Sequence, residues 1–201
     1  MRSMESRLRL RALVSAIEPL DTTEANHQAD TLAWIDSDAE LYRRRKPAEP
    51  PKHLVSYFVL VDVHSDAVFL VDHRNARLWL PTGGHVEPDE DPFETVRREL
   101  HEELGITAEP LDGIASNPLL VTQTTTVGQG AGHIDVSLWY VLSGWTTMPL
   151  VPDATEFEAV RWWTFDEIAT SSPERFDPHF PRFISKLRRD GCLSAAECVP
   201  E

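Results

Sequence analysis

Residues 84–106 read GHVEPDEDPFETVRRELHEELGI, and this stretch decides how the rest of the chain is interpreted. Asp91 is a favourable N-cap, and Pro92 suits the first position of a helix because its missing N–H needs no partner there. Gly105 is a typical residue just beyond a helix C-terminus. These signals predict one helix over residues 92–104, flanked by turns.

Placed on a helical wheel, the apolar residues of this helix form one buried stripe, consisting of Phe93, Val96, Leu100 and Leu104. Glu94 is expected to complete a capping box. Glu99, Glu102 and Glu103 are three or four positions apart, so they form an acidic cluster beside the stripe. A solvated acidic face is the alternative interpretation of the helix alone. The position beside the stripe, after the paired glycines of LPTGGH, favours a site for a hard divalent cation such as magnesium.

This arrangement resembles the Nudix box, GX5EX7REUXEEXGU, in which U is aliphatic. All nine defined positions match over 23 residues: Gly84, Glu90, Arg98, Glu99, Leu100, Glu102, Glu103, Gly105 and Ile106. The resemblance implies a Nudix-like α/β/α sandwich with a mixed β-sheet. It also implies a hydrolase that uses Mg²⁺ or Mn²⁺ to cleave a pyrophosphate bond in a nucleoside diphosphate linked to another moiety.

The resemblance carries roles onto particular side chains of the box. Glu102 and Glu103 are expected to be the primary metal ligands, and Glu99 a further ligand or the base that orients water. Arg98 is expected to hold Glu102 or Glu90 in place. The resemblance does not decide which residue is the general base.

Further ligands are expected from outside these acids. The backbone carbonyl of Gly83 is a candidate because the family often uses the residue just before the box. Glu156 and Glu158 are candidates for an additional acid, and Glu156 is preferred. The alternative is that both are ordinary exposed acids at the edge of a strand.

Candidate substrate contacts are His85, which follows the glycines, and His133 with Asp135, which alternate on one face of a strand. The alternatives are that His85 caps its loop and that the other two belong to a polar outer face. A second group of residues is a candidate for stacking on a nucleotide base, with a place in the core as the alternative. It comprises Trp139, Tyr140, Trp162 and Trp163.

The remaining sequence divides into three parts. The pattern of residues 1–50 predicts a pair of helices followed by a basic, proline-rich linker, RRRKPAEPPK. This segment is interpreted as a solvated linker, and the alternative is that its basic cluster binds a partner. Residues 53–190 predict the Nudix domain, with alternating strands before and after the acidic helix and two short helices at its end. Residues 191–201 are expected to be a tail.

The formal net charge of −14 argues against binding of nucleic-acid polymers or anionic membranes, because both require basic surfaces. The chain also contains no long apolar run and no secretory signal, so a cytoplasmic protein is expected. The expected partner is a small nucleotide derivative of unknown identity. The N-terminal helices leave two further possibilities open: a homodimer, and a non-catalytic Nudix module that senses a nucleotide or nucleotide sugar.

Overall fold

The structure is a computed structural model, which describes residues 2–45, 49–128 and 132–190. The predicted tail, 191–201, lies outside these residues, as do positions 46–48 of the linker and 129–131 of the glycine-rich turn. The helices are α1 (Arg2–Ser15), α2 (Thr22–Asp36), α3 (Pro92–Leu104), α4 (Phe165–Thr170) and α5 (Phe180–Arg189). The strands are β1 (Lys52–Asp62), β2 (Ala67–His73), β3 (Leu78–Leu80), β4 (Thr82–His85), β5 (Leu120–Thr125), β6 (Ile134–Ser143) and β7 (Phe157–Thr164).

The seven strands form one mixed sheet with β1 at its centre. The main order is β3-β2-β1-β6-β5, with β4 also paired to β1 and β7 to β2. β1 and β6 run parallel, whereas β1 is antiparallel to β2 and β4. A central strand is covered on both faces, which explains why β1 is buried along nearly its whole length. The expected mixed sheet is confirmed.

Helices cover both faces of the sheet and produce two hydrophobic cores. One core joins the first three helices to the sheet through residues such as Val14, Ile35, Phe58 and Leu100. The other joins the opposite face to the C-terminal helices and is rich in aromatic residues, among them Trp139, Trp163, Phe180 and Phe183. The expected α/β/α sandwich is therefore present.

The bounds of α3 agree with those predicted from its sequence. The side chain of Asp91 accepts a hydrogen bond from the backbone N–H of Phe93, and Gly105 ends the helix in the left-handed conformation at φ 66°. The predicted capping box is wrong, because the Asp91 side chain accepts from the N–H of Phe93 and not from that of Glu94. Glu94 accepts a hydrogen bond from Arg97 at 3.1 Å, so its carboxylate serves an ion pair on the helix surface.

The two N-terminal helices pack onto the same core as the sheet. Leu10 and Val14 of α1 and Ile35 of α2 are buried there, whereas Leu8 of α1 is 61% exposed. Glu24 of α2 and Lys186 of α5 form a buried ion pair, with 2.5 Å between Oε1 and Nζ. This pair joins the N-terminal segment to the last described helix. Among the described residues, no helix has the length and apolar character needed to cross a bilayer.

Candidate active site

The C-terminal half of α3 lies against the glycine pair of β4. Glu103 is only 8% exposed, and its Oε2 accepts a hydrogen bond from the backbone N–H of Gly83 at 3.2 Å. Gly83 has φ 151°, and a Cβ there would lie 2.1 Å from the Ser56 carbonyl oxygen. A Cβ on Gly84 would lie 1.9 Å from Oε1 of Glu99. Gly84 therefore lets the carboxylate of Glu99 lie against β4, and Gly83 lets β4 pair closely with β1.

Two of the three box acids turn inward and one turns outward. The side chains of Glu99 and Glu102 are 12% and 58% exposed, respectively. Burial raises the pKa of Glu103 to about 9, and the negative charges of Glu99 and Glu156 add to the increase. Burial also raises the pKa of Glu99, against the opposing effect of Arg98. Such a pair of carboxylates is costly without a proton or a cation, so the donor set fits a hard divalent metal ion.

Arg98 links the acids to the loop that precedes the helix. Its Nε and Nη2 contact the two carboxylate oxygens of Glu90 at 3.0 and 3.1 Å. Its Nη1 donates to Glu99 at 2.5 Å and lies 3.4 Å from Glu102. Nη2 also donates to the backbone carbonyl of His85 at 3.1 Å. Arg98 therefore contacts both glutamates that the resemblance assigns to it, Glu90 and Glu102.

The two acids considered near β7 have different surroundings. Glu158 forms an ion pair with Arg74. Glu156 is exposed, and its charge contributes to the raised pKa values of both Glu99 and Glu103. Glu156 is therefore the one whose electrostatic field reaches the box.

A cavity of about 640 Å³ opens beside Glu103. The predicted contacts His85, His133 and Asp135 all line it, and so do Gly83 and Gly84. None of the four aromatic residues considered for base stacking lines it. Trp139, Tyr140 and Trp163 are buried in the cores, and Trp162 packs against Phe69. These four residues therefore pack within the fold and do not face the cavity as base-stacking residues would.

Three residues of the site were missed from the sequence. Tyr57 of β1 and Arg43 of the linker line the cavity, and His53 lies behind its wall, in contact with His85 and Asp135. Arg43 makes no hydrogen bond or ion pair within the described parts of the chain, although Asp135 attracts it electrostatically. The RRRK cluster was the available signal for Arg43, but its neighbours Arg44 and Arg45 pair with nearby glutamates instead.

A mixed sheet between helical layers, with an acidic helix set on a glycine pair, defines the class of Nudix hydrolases. The sequence model of the family described as "NUDIX domain" matches residues 51–187 of this chain. The chain therefore belongs to the Nudix family, and it is a Nudix pyrophosphohydrolase by class.

Individual relatives agree with this assignment. Phosphatase NudJ of Escherichia coli strain K12 is 28% identical over 113 residues, which are 55% of this chain and 69% of NudJ. A NUDIX hydrolase from Clostridium perfringens has a TM-score of 0.51 at 21% identity, over 72% of this chain and 98% of its own. A UDP-X diphosphatase has a TM-score of 0.50 at 12% identity, over 93% of this chain and 94% of its own. The two structural likenesses concern the fold alone.

Proposed function

We propose that the chain is a Mg²⁺- or Mn²⁺-dependent hydrolase that cleaves the pyrophosphate bond of a nucleoside diphosphate linked to another group. The observation that carries the proposal is the convergence of Glu99 and Glu103 on the glycine pair at the mouth of a cavity. Buried carboxylates with raised pKa values gain most from a bound cation, because the cation removes their repulsion.

In this proposal Glu103 and Glu102 are the primary ligands, and Glu99 is a further ligand or the base that orients water. Glu102 would swing in from the surface, where Arg98 now lies 3.4 Å from it. The carbonyl of Gly83 and the carboxylate of Glu156 are additional candidates. A divalent ion held there would neutralise charge on the phosphate oxygens and lower the pKa of the attacking water.

The residues of the chain would do the remaining work. Arg98 holds two of the acids at a fixed place relative to the loop. Arg43 presents a guanidinium to the cavity, where it would bind a phosphate of the substrate. The name of the UDP-X diphosphatase, whose fold aligns over 93% of this chain, makes uridine diphosphate linked to another group one candidate substrate for the test below.

The test is Mg²⁺-dependent phosphate or nucleoside monophosphate release from a panel of substrates. The panel contains nucleoside triphosphates, oxidised nucleotides, ADP-ribose, nucleotide sugars and dinucleoside polyphosphates. Glu103→Gln is the blank and should lower turnover by on the order of 100-fold or more. Arg43→Gln should raise KM for the preferred substrate, whereas the exposed neighbour Arg45→Gln should not.

Two outcomes would contradict the proposal. Full activity of Glu103→Gln at saturating Mg²⁺ would remove the assigned metal ligand. Nucleotide binding without any turnover across the panel would support a sensor module instead. Neither result depends on which compound in the panel is preferred.

A further inference from the structure

Four side chains with metal-binding atoms lie together on one wall of the cavity, in a cluster that includes none of the acids of the box. His53 of β1 is directly opposite Asp135 of β6, and His85 of β4 is opposite Val55. His133 precedes Asp135 by two positions. Residues opposite one another, or two apart on one strand, share a face of a sheet. The register of three strands therefore brings all four side chains to the same place.

The four groups present their ligand atoms to a common point. His53 Nε2 lies 3.0 Å from Asp135 Oδ1 and 3.0 Å from His85 Nε2. His133 Nε2 lies 3.4 Å from the same carboxylate oxygen. One ligand atom from each of the four residues lies within 4.8 Å of the others. Nitrogen and oxygen ligands about 2.0–2.1 Å from a tetrahedral zinc ion are about 3.3–3.4 Å apart. The three separations of 3.0–3.4 Å are close to this value, and any wider pair would have to close on the ion.

The hydrogen bonds behind the cluster set the direction of its nitrogens. His53 Nδ1 lies 2.9 Å from the carbonyl oxygen of Pro50. A carbonyl only accepts, so Nδ1 carries the proton, and Nε2 of the neutral ring directs a lone pair at the cluster. A histidine that donates its outer N–H to a backbone carbonyl is the common arrangement in metal sites. His133 is similarly held by Thr126, with 3.0 Å between Nδ1 and Oγ1.

The buried carboxylate of Asp135 in this cluster would be stabilised by a cation. Asp135 Oδ1 is buried and has no hydrogen-bond partner among the described residues, although the Nε2 atoms of His53 and His133 lie 3.0 and 3.4 Å from it. A buried carboxylate beside imidazole lone pairs is unfavourable without a positive charge between them. The charge is supplied either by a proton, which makes an imidazolium, or by a metal ion.

We propose that His53, His85, His133 and Asp135 form a site for one divalent transition-metal ion of the zinc type. Three imidazoles and one carboxylate suit zinc and its neighbours in the first transition row, whereas magnesium prefers the all-oxygen donors of the box. His53 is fully buried, but the other three ligands line the cavity. The ion would therefore stand at the cavity wall, within reach of an oxygen atom of a bound ligand.

The test measures zinc binding by full-length, chelator-treated protein in competition with a chromophoric chelator. Wild type should bind one tight equivalent. Loss of a residue that only orients a metal ligand typically lowers metal affinity about 10–100-fold. His133→Gln and Asp135→Asn each remove a ligand itself, so they should weaken zinc binding by at least that factor. His64→Gln removes an exposed histidine in the β1–β2 turn and is the matched control. Glu103→Gln should also bind normally, which separates this site from the box.

Cobalt(II) supplies a spectroscopic check on the same proteins. Wild type and Glu103→Gln should develop the visible bands of four-coordinate cobalt, and Asp135→Asn should not. The melting temperature of each variant is measured first, and zinc should raise that of wild type, His64→Gln and Glu103→Gln but not that of the two cluster variants. The proposal is overturned if zinc binding is weak in wild type, as a proton-filled cluster would give. It is also overturned if binding survives both cluster variants or is abolished by Glu103→Gln.

Discussion

Replacing Glu103 with glutamine should make the metal-free protein more stable than wild type, by an amount that grows as the pH rises. The side chain is buried beside Glu99, and its pKa is about 9 in the folded chain against an ordinary value of 4.5. Glutamine has the same shape and can still accept the hydrogen bond from Gly83. The substitution therefore removes a titration while leaving the packing in place.

The sign and size follow from linkage. A raised pKa means that the folded state binds the proton more tightly than the unfolded state. The stabilisation from Glu103 is thus complete below about pH 4.5 and is lost as the pH rises toward 9. Each pH unit within this window costs about 1.4 kcal/mol, so wild type should lose about 3 kcal/mol between pH 5 and pH 7 relative to Glu103→Gln. For a chain of this size that corresponds to roughly 6–12 °C in melting temperature.

The assay is thermal unfolding in EDTA at pH 5, 6 and 7, followed by circular dichroism. The quantity of interest is the difference in melting temperature between variant and wild type, because other titrating groups cancel in it. Glu102→Gln, on a largely exposed side chain, is the matched control and should follow wild type more closely. A difference that stays constant from pH 5 to pH 7 would refute the reasoning, since a buried carboxyl would then not be titrating.

Three further substitutions test other contacts. Gly84→Ala should keep the fold but abolish most activity, because the new methyl group must displace the carboxylate of Glu99; an active, folded variant would contradict this. Lys186→Met should cost about 3–5 kcal/mol in urea unfolding because it leaves Glu24 charged and buried, and Glu24→Leu in the same chain should recover most of the loss. Arg98→Gln should lower kcat/KM and raise the Mg²⁺ concentration for half-maximal activity, each by about 10–100-fold; unchanged metal dependence would argue against its positioning role.

The helix of the box could be predicted closely because its determinants are local. Asp91, Pro92 and Gly105 lie within one turn of the ends of α3 and fix its bounds. Its buried face follows from spacing alone. Even the interaction of Arg98 with Glu102 could be anticipated, since the two are four positions apart.

The cavity could not be predicted in the same way, because its walls depend on which strands are neighbours. The sequence alone predicted a substrate-facing role for His133 and Asp135. It gave no reason to place His53, 82 positions earlier in the chain than Asp135, directly opposite that residue. Likewise, Arg43 lies in a segment with the composition of a solvated linker, and only the folded path of that segment brings it to the cavity.

Strand β4 connects the two proposed metal sites. It has four residues, yet the backbone N–H of Gly83 contacts Glu103 while the side chain of His85 contacts His53. A slip of one residue against β1 would turn the His85 side chain to the opposite face of the sheet and displace the Gly83 N–H from Glu103. The hydrogen bond from Arg98 to the His85 carbonyl ties this strand to the box helix. Weakening that hydrogen bond should therefore disturb zinc binding as well as magnesium binding, although Arg98 is a ligand of neither ion.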